Sequence, residues 1–214
     1  MGTQIKKCTI ISGAPDDDIE FLKDNIDKNS YIICADSGYK NCIKAGFSPN
    51  LIIGDFDSSK KPDIYCEIIT LKVEKAFTDT FHCVMEAVDR GYNNIDIFCA
   101  IGSRMDHTYS NILSLDYCQK HNVKCRILNR NNRISLIKDK GIINKDYDNF
   151  SLFAYLSDCK NVRIKGAYYT AGFYGKDSLN INQSDQFAQS NFVNENYAEI
   201  TLDSGTLLLI ESND

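Results

Sequence analysis

The sequence predicts a two-part chain: an N-terminal α/β domain and a small C-terminal all-β, sandwich-like domain. Through residues 1–130, short apolar runs alternate with helical periodicity. After about residue 135 the helical periodicity ends and period-2 alternation replaces it. Strands that alternate with helices favour a mostly parallel sheet with helices on both faces, whereas period-2 runs alone favour antiparallel sheets.

The N-terminal elements follow from this alternation. Strands are predicted at 8–11, 31–35, 51–53, 68–73, 95–101 and 126–128. The clearest helix is 79–90, where four apolar residues follow helical spacing, Thr78 is a good N-cap and Gly91 ends the pattern. Further helices are predicted at 19–26, 38–45 and from 106 to about 121.

The C-terminal part has strands predicted at 151–156, 162–168, 198–202 and 206–210. Asp203-Ser204-Gly205 has the composition of a tight turn, so we expect the last two strands to form a hairpin. The polar stretch 171–196 predicts long loops or edge strands. We expect one domain at 1–130 and a second domain at 135–214.

Composition excludes several classes of partner. The formal net charge is -5 and no basic run is present, so neither nucleic acid nor an anionic membrane surface is an expected partner. Nine cysteines without a C-x-x-C pair predict reduced thiols in the cytoplasm, and zinc is disfavoured. No secretory signal or membrane span is predicted.

Acidic residues follow several predicted strands of the N-terminal domain. The carboxyl ends of parallel strands lie on one edge of a sheet, where ligands bind. Asp36, Asp55, Asp57 and Asp79 are therefore expected to converge, and Asp106 is a further candidate. Clustered carboxylates repel one another unless a cation lies between them, and Mg²⁺ prefers such oxygen ligands.

Other residues in these segments suit phosphate binding. Glycines permit close backbone approach, helix N-termini after Thr78 and Ser103 offer donors, and Arg104 suits phosphate charge. Taken singly, several features have a structural interpretation. Asp36-Ser37-Gly38 suits a simple turn, Asp106 suits an N-cap, and His107 suits a solvated histidine. The prediction of a site therefore depends on these acids, glycines, helix N-termini and Arg104 occurring together.

Four segments in order resemble the thiamine pyrophosphokinase family. They are Ala35-Asp36-Ser37-Gly38, Ile53-Gly54-Asp55-Phe56-Asp57-Ser58, Lys75-Ala76-Phe77-Thr78-Asp79, and Gly102-Ser103-Arg104-Met105-Asp106-His107 with Asn111. The C-terminal segments Lys165-Gly166-Ala167-Tyr168-Tyr169, Ser190-Asn191 and Gly205–Ile210 resemble that family's β-sandwich domain. The resemblance extends over nearly the whole chain.

This resemblance implies transfer of the pyrophosphate group of ATP to the hydroxyl of thiamine, giving thiamine diphosphate and AMP. It implies a homodimer whose active site lies between the catalytic domain of one subunit and the β-domain of the other. By resemblance, the metal ligands are Asp36, Asp55, Asp57 and Asp79, and the catalytic residues are Asp55, Asp57, Asp79 and Arg104. The implied binding residues are Asp36, Ser37, Gly54, Ser58, Thr78, Asp106, His107, Ser190 and Asn191.

The sequence departs from the family pattern at two points. Ala76 stands where the family usually has an acid, two positions before Thr78. Many members stack thiamine on a tryptophan of the β-domain, whereas this chain has none; Phe192 and Tyr169 are candidate replacements. Two alternatives stay open: a metal-dependent nucleotide-sugar transferase that uses Asp55-Phe56-Asp57 as a D-x-D motif, and a non-catalytic thiamine- or nucleotide-binding protein.

Overall fold

Six parallel strands form the sheet of the N-terminal unit. The computed structural model describes residues 4–15, 18–56 and 62–214, and the chain divides into two compact units, Met1–Arg130 and Asn131–Asp214. The strands are β1 (Lys7–Ile11), β2 (Tyr31–Ala35), β3 (Leu51–Gly54), β4 (Glu67–Thr70), β5 (Asn94–Phe98) and β6 (Lys124–Leu128). Their order across the sheet is β4-β3-β2-β1-β5-β6, and every neighbouring pair is parallel.

The strand order places a switch point beside β1. Strands β2, β3 and β4 extend the sheet on one side of β1, while β5 and β6 extend it on the other. The segments that leave the carboxyl ends of β1 and β5 therefore turn away in opposite directions and leave a crevice between them. In open α/β sheets, ligands bind in such a crevice.

Helices cover both faces of this sheet. They are α1 (Ile19–Asn25), α2 (Tyr39–Lys44), α3 (Asp79–Asp89) and α4 (Met105–Lys120), and a 3-10 turn at Asp36–Gly38 leads into α2. Helices α1 and α2 pack in one apolar cluster with Ile11, Cys34 and Ile52. Helix α3 contacts β1, β2, β3 and α4, and its buried Cys83, Val84 and Ala87 lie outside that cluster. Successive residues of a strand point to opposite faces of the sheet, so each face has side chains on which helices pack. A parallel sheet with helices on both faces confirms the predicted α/β fold class.

The C-terminal unit is a sandwich of two antiparallel sheets. Its strands are β7 (Asn132–Ile137), β8 (Lys140–Ile143), β9 (Asn149–Ala154), β10 (Cys159–Lys165), β11 (Leu179–Ile181), β12 (Ala198–Thr201) and β13 (Leu207–Ser212). One sheet has the order β7-β13-β9 and the other β11-β10-β12-β8. Both sheets contribute residues to a single apolar core. On β13, Glu211 is buried and accepts two hydrogen bonds from Arg133 of β7.

The predicted hairpin between the last two strands is wrong. Strand β12 pairs with β10 and β8, whereas β13 pairs with β7 and β9. The Asp203-Ser204-Gly205 turn carries the chain from one sheet to the other. Gly205 has φ 93° and packs against the backbone of Asp158 and Cys159. The turn therefore packs against β10, and the two strands that flank it, β12 and β13, do not pair with each other. Both strands bury alternate residues in the same core, and this pattern does not distinguish the two pairings.

Several elements lie outside the predicted set. Strand β7 begins between the two predicted domains, β8 lies before the first strand predicted for the C-terminal part, and β11 lies within the predicted loop 171–196. A second 3-10 turn, Gly172–Tyr174, occupies the same stretch. Among the helices within residues 4–15, 18–56 and 62–214, none has the length and hydrophobicity needed to cross a bilayer.

Candidate active site

A cavity of about 390 Å³ lies at the carboxyl edge of the parallel sheet. Four segments form its walls: the residues after β1, those after β2, those before and within the first turn of α3, and those between β5 and α4. It is lined by Ser12, Gly13, Ala14, Pro15, Ala35, Asp36, Ser37, Lys75, Thr78, Asp79, Thr80, Cys99, Ala100, Gly102, Ser103, Arg104, His107, Thr108 and Asn111. The volume suits a small-molecule ligand, and the position matches the crevice beside β1.

The turn after β2 needs glycine at position 38. A Cβ added to Gly38 would lie 2.2 Å from the carbonyl oxygen of Ile11 and 2.7 Å from that of Ser12. This close approach brings the Asp36–Gly38 turn against the end of β1. The turn thus has a structural role, and it also presents the side chains of Asp36 and Ser37 to the cavity.

Three strained backbone positions lie at this edge. Asp36 (φ 43°), Phe56 (φ 53°) and Cys99 (φ 53°) have left-handed backbone conformations, and they follow β2, β3 and β5. Aspartate tolerates this conformation, whereas phenylalanine and cysteine adopt it at a cost of about 1–3 kcal/mol each. Non-glycine residues in this region are concentrated at functional sites, which supports a binding role for the cavity.

Lys75 lies between two of the predicted metal ligands. Its ammonium group donates a hydrogen bond to Asp55 Oδ2 and lies 2.9 Å from Asp79 Oδ1. Lys75 and Asp55 are both shielded, with side chains 14% and 10% exposed. Burial lowers the pKa of Lys75, but the hydrogen bonds to Asp55 and Asp79 outweigh burial and raise it. The predicted site residues do not include Lys75. Its place four residues before Asp79 is the signal that could have identified it, because clustered carboxylates favour a nearby positive charge.

Asp36 approaches the same region from the neighbouring strand. A Cβ added to Gly54 would lie 3.1 Å from Asp36 Oδ1 and 3.0 Å from Asp36 Cα. Glycine at position 54 therefore leaves room for the Asp36 carboxylate beside the end of β3. Asp57 and Ser58 lie outside the described residues.

The start of α3 is held firmly against the cavity. Thr78 is the N-cap, and its Oγ1 accepts a hydrogen bond from Phe81 N at 3.2 Å. Thr80 is buried and hydrogen-bonds through its Oγ1 to Ser12 Oγ at 2.8 Å. This links the first turn of α3 to the end of β1 and directs the positive end of the helix dipole toward the cavity.

Arg104 and Asp106 form a pair at the open side of the cavity. Arg104 precedes α4 as its N-cap residue, and its Nε donates to Asp106 Oδ1 at 3.2 Å. Both side chains are well exposed, and the hydrogen bond from Arg104 lowers the pKa of Asp106. Asp106 lies in the first turn of the helix instead of at its N-cap, and it pairs with Arg104 at the rim. His107 is exposed and lines the same cavity.

Ala76 borders a different cavity. A second cavity of about 380 Å³ lies between α3 and α4, and Ala76, Phe77, Phe81 and Tyr117 are among its lining residues. Position 76 is not among the lining residues of the first cavity, whereas Asp55 and Asp79 meet at Lys75. The absence of an acid at position 76 leaves that pair of carboxylates complete.

Ser190 and Asn191 lie in the C-terminal unit. Asn191 is 3% exposed. Its Oδ1 accepts hydrogen bonds from Tyr169 N at 2.9 Å and Phe192 N at 3.0 Å, and its Nδ2 donates to Tyr169 O at 2.8 Å. The amide thus joins two loop segments. Ser190 is exposed and has φ 52°.

The chemistry of the described acids fits a hard cation. Within residues 4–15, 18–56 and 62–214, no three His, Cys, Asp or Glu side chains are arranged to hold a metal ion. Two carboxylates nevertheless converge on one positive charge, that of Lys75. Mg²⁺ is commonly held by one or two carboxylates together with water and substrate phosphates, so this pair is a sufficient protein contribution.

Comparison with known proteins identifies relatives of this chain. Residues 22–127 match the family described as thiamin pyrophosphokinase, catalytic domain. A thiamine pyrophosphokinase of Bacillus subtilis is 25% identical, and the match covers 98% of this chain and 100% of the relative. Crystal structures of thiamine pyrophosphokinases from Bacillus subtilis and Geobacillus thermodenitrificans share the fold. Their TM-scores are 0.88 and 0.84 at 24% and 22% identity; the matches cover 98% and 97% of this chain, and 100% and 98% of theirs. Residues 22–127 of this chain belong to the thiamine pyrophosphokinase catalytic-domain family.

Proposed function

We propose that this protein transfers the pyrophosphate group of ATP to the hydroxyl of thiamine, giving thiamine diphosphate and AMP. The observation that carries the proposal is the meeting of Asp55 and Asp79 at one positive charge beside the cavity. A triphosphate needs positive charge and backbone donors, and the rim and walls of the cavity offer both. The family match supports the choice of thiamine as acceptor.

Asp36, Asp55, Asp57 and Asp79 are the proposed ligands of Mg²⁺. When bound, the ion supplies positive charge to the phosphate oxygens and fixes their orientation. The N-terminus of α3 borders the same space, and the N-terminus of a helix suits phosphate binding, so it suits the phosphates as well. Arg104 is exposed at the rim, where its guanidinium is free to exchange Asp106 for a phosphate oxygen.

The reaction needs the thiamine hydroxyl to attack the β-phosphorus of ATP in line, with AMP leaving through its α-phosphate oxygen. The new bond joins the hydroxyl oxygen to the β-phosphorus, and the hydroxyl proton passes to Asp79 or Asp57. Phosphoryl transfer of this kind depends mainly on positioning and charge neutralisation. Ser37, Gly54, Ser58, Thr78, Asp106 and His107 are the proposed binding residues for the nucleotide.

The C-terminal unit is the proposed thiamine-binding and dimerisation domain. Ser190 and Asn191 are the proposed contacts from this unit, and Tyr169 and Phe192 are candidates to hold the thiamine ring in place of a tryptophan. We propose a cytoplasmic homodimer, as the family resemblance implies. Analytical ultracentrifugation of the purified chain tests the dimer, and a monomer at micromolar concentration would contradict it.

The test of the reaction is simultaneous measurement of AMP and thiamine diphosphate from ATP, Mg²⁺ and thiamine, with each component omitted in turn. We expect equal amounts of both products, and neither without thiamine or Mg²⁺. Asp55→Asn keeps the side-chain shape and removes the charge, so we expect a loss of activity of about 10²–10³-fold. Asp63→Asn removes an exposed charge of the same type and is the matched control.

Two results would contradict the proposal. Thiamine binding without either product favours a non-catalytic binding protein. Hydrolysis of a nucleotide-sugar with no reaction of thiamine favours the nucleotide-sugar transferase that the D-x-D motif suggests. The family match gives that alternative no support.

A further inference from the structure

Lys75 occupies the position that a metal ion needs. Its Nζ contacts one oxygen of Asp55 and one oxygen of Asp79, and both carboxylates have been proposed above as metal ligands. The three side chains are largely shielded from water, with exposures of 14%, 10% and 23%. Lys75 also lines the cavity, so its ammonium group borders the space where phosphates are expected.

A divalent ion and the Lys75 ammonium cannot share these two oxygens. An ion bound to Asp55 and Asp79 would stand within a few ångströms of Nζ, and screening by water is weak at this depth. Like charges a few ångströms apart repel strongly where water screens them poorly, and a doubly charged ion repels an ammonium group more than a singly charged one does. Metal binding therefore requires that Lys75 leave the carboxylates.

A bound nucleotide would offer Lys75 an alternative partner in the cavity. The lysine side chain is a flexible four-carbon chain, so its ammonium group moves several ångströms without a backbone change. A phosphate oxygen in the cavity is a charged acceptor within such a movement. Without a nucleotide, Lys75 could leave Asp55 and Asp79 only by giving up both charged partners of a shielded ammonium group, which is unfavourable.

We propose that Lys75 is a displaceable internal cation that makes metal binding depend on nucleotide. It holds Asp55 and Asp79 together when the metal is absent, and it transfers to a phosphate when metal and nucleotide enter together. This inference depends on the proposed function, because it assumes that metal and nucleotide share the cavity. Lys75 acts here as a positioning residue through the two carboxylates.

The test is direct measurement of Mn²⁺ binding by electron paramagnetic resonance, with and without a non-hydrolysable ATP analogue. Lys75→Met removes the charge and keeps the length of the side chain. Lys72→Met removes the same charge from an exposed lysine three residues earlier and is the matched control. Without nucleotide, we expect Lys75→Met to bind Mn²⁺ at least about tenfold more tightly than the unaltered protein, and Lys72→Met to bind within about twofold of it.

The analogue gives a second readout. It should tighten Mn²⁺ binding strongly in the unaltered protein and much less in Lys75→Met, because the variant has no internal cation to displace. By linkage, within each protein Mn²⁺ should tighten binding of the analogue by the same factor by which the analogue tightens binding of Mn²⁺. Lys75→Arg retains the charge and should keep the dependence on nucleotide.

A folded Lys75→Met variant with unchanged or weaker Mn²⁺ affinity overturns the inference and leaves the proposed reaction standing. If no protein binds Mn²⁺ even with the analogue, the proposed metal site itself fails and the inference fails with it. If Lys75→Met does not fold, as judged by circular dichroism, Lys75→Gln replaces it. Glutamine is neutral and donates hydrogen bonds to both carboxylates, so the same tightening is expected.

Discussion

The amide of Asn191 gives a sharp test of whether this residue is structural, binding or both. Replacement with alanine removes three hydrogen bonds to the backbone of Tyr169 and Phe192. Because the residue is 3% exposed, water is poorly placed to replace them. At a net of about 1 kcal/mol for each hydrogen bond, the loss is about 3 kcal/mol in the free energy of unfolding.

Urea denaturation followed by circular dichroism measures this loss, and thermal melting checks it. For a chain of this size, about 3 kcal/mol corresponds to a fall in Tm of about 6–12 °C. Ser190→Ala is the matched control. The Ser190 backbone N–H, which donates to Ser151 Oγ at 3.1 Å, is retained in that variant, so we expect a change within about 0.5 kcal/mol.

Thiamine affinity must be measured on both variants at a temperature where Asn191→Ala remains folded. If Asn191→Ala keeps its stability but loses thiamine affinity, the structural argument is refuted and the amide contacts the ligand. If stability falls and affinity persists in the folded fraction, the residue acts through the loop that it joins. Loss of both quantities indicates that the same loop carries the ligand contacts.

Three further predictions concern stability. Gly38→Ala places a Cβ 2.2 Å from the carbonyl oxygen of Ile11, so we expect about 3 kcal/mol of destabilisation by urea denaturation; a loss below 1 kcal/mol would contradict the close approach. Glu211→Leu leaves the partly buried Arg133 without its main partner, so we expect a loss of about 3 kcal/mol, and replacing Arg133 with methionine as well should recover part of it. The hydrogen bond from Arg130 lowers the pKa of Asp18 to about 2, so its contribution to stability is present above about pH 4 and is lost as the pH falls toward 2. Carbon-detected NMR titration of that carboxyl group checks the pKa, and a value near 4 would show that the ion pair is absent in solution.

The N-terminal fold was predictable because its signals are local. Alternating periods of about two and 3.6 identify strands and helices, and a parallel sheet needs helical crossovers between its strands. Thr78 and Gly91 marked the ends of α3 from the sequence alone, and the structure has Thr78 as the N-cap. The expectation that acids gather at the carboxyl ends of strands follows from the same topology. Asp36, Asp55 and Asp79 accordingly lie at that edge.

The C-terminal pairing was not predictable, because period-2 alternation fixes which face of a strand is buried but not which strand lies beside it. Strands β12 and β13 are adjacent in sequence and bury alternate residues in one core, yet they belong to different sheets. Their separation depends on the docking of Gly205 against β10, a contact between residues more than 40 positions apart.

The sequence by itself determined the types of element, the sheet edge at which the acids gather and the family that the motifs resemble. The tertiary structure alone decided which charges meet. Lys75 precedes α3 by a few residues, and in the sequence it is typical of a lysine in a turn. Only folding brings its ammonium group against Asp55, which lies twenty positions earlier in the chain. Periodicity and capping depend on neighbours along the chain, whereas electrostatic partners depend on distances in space that the chain sets only when it has folded.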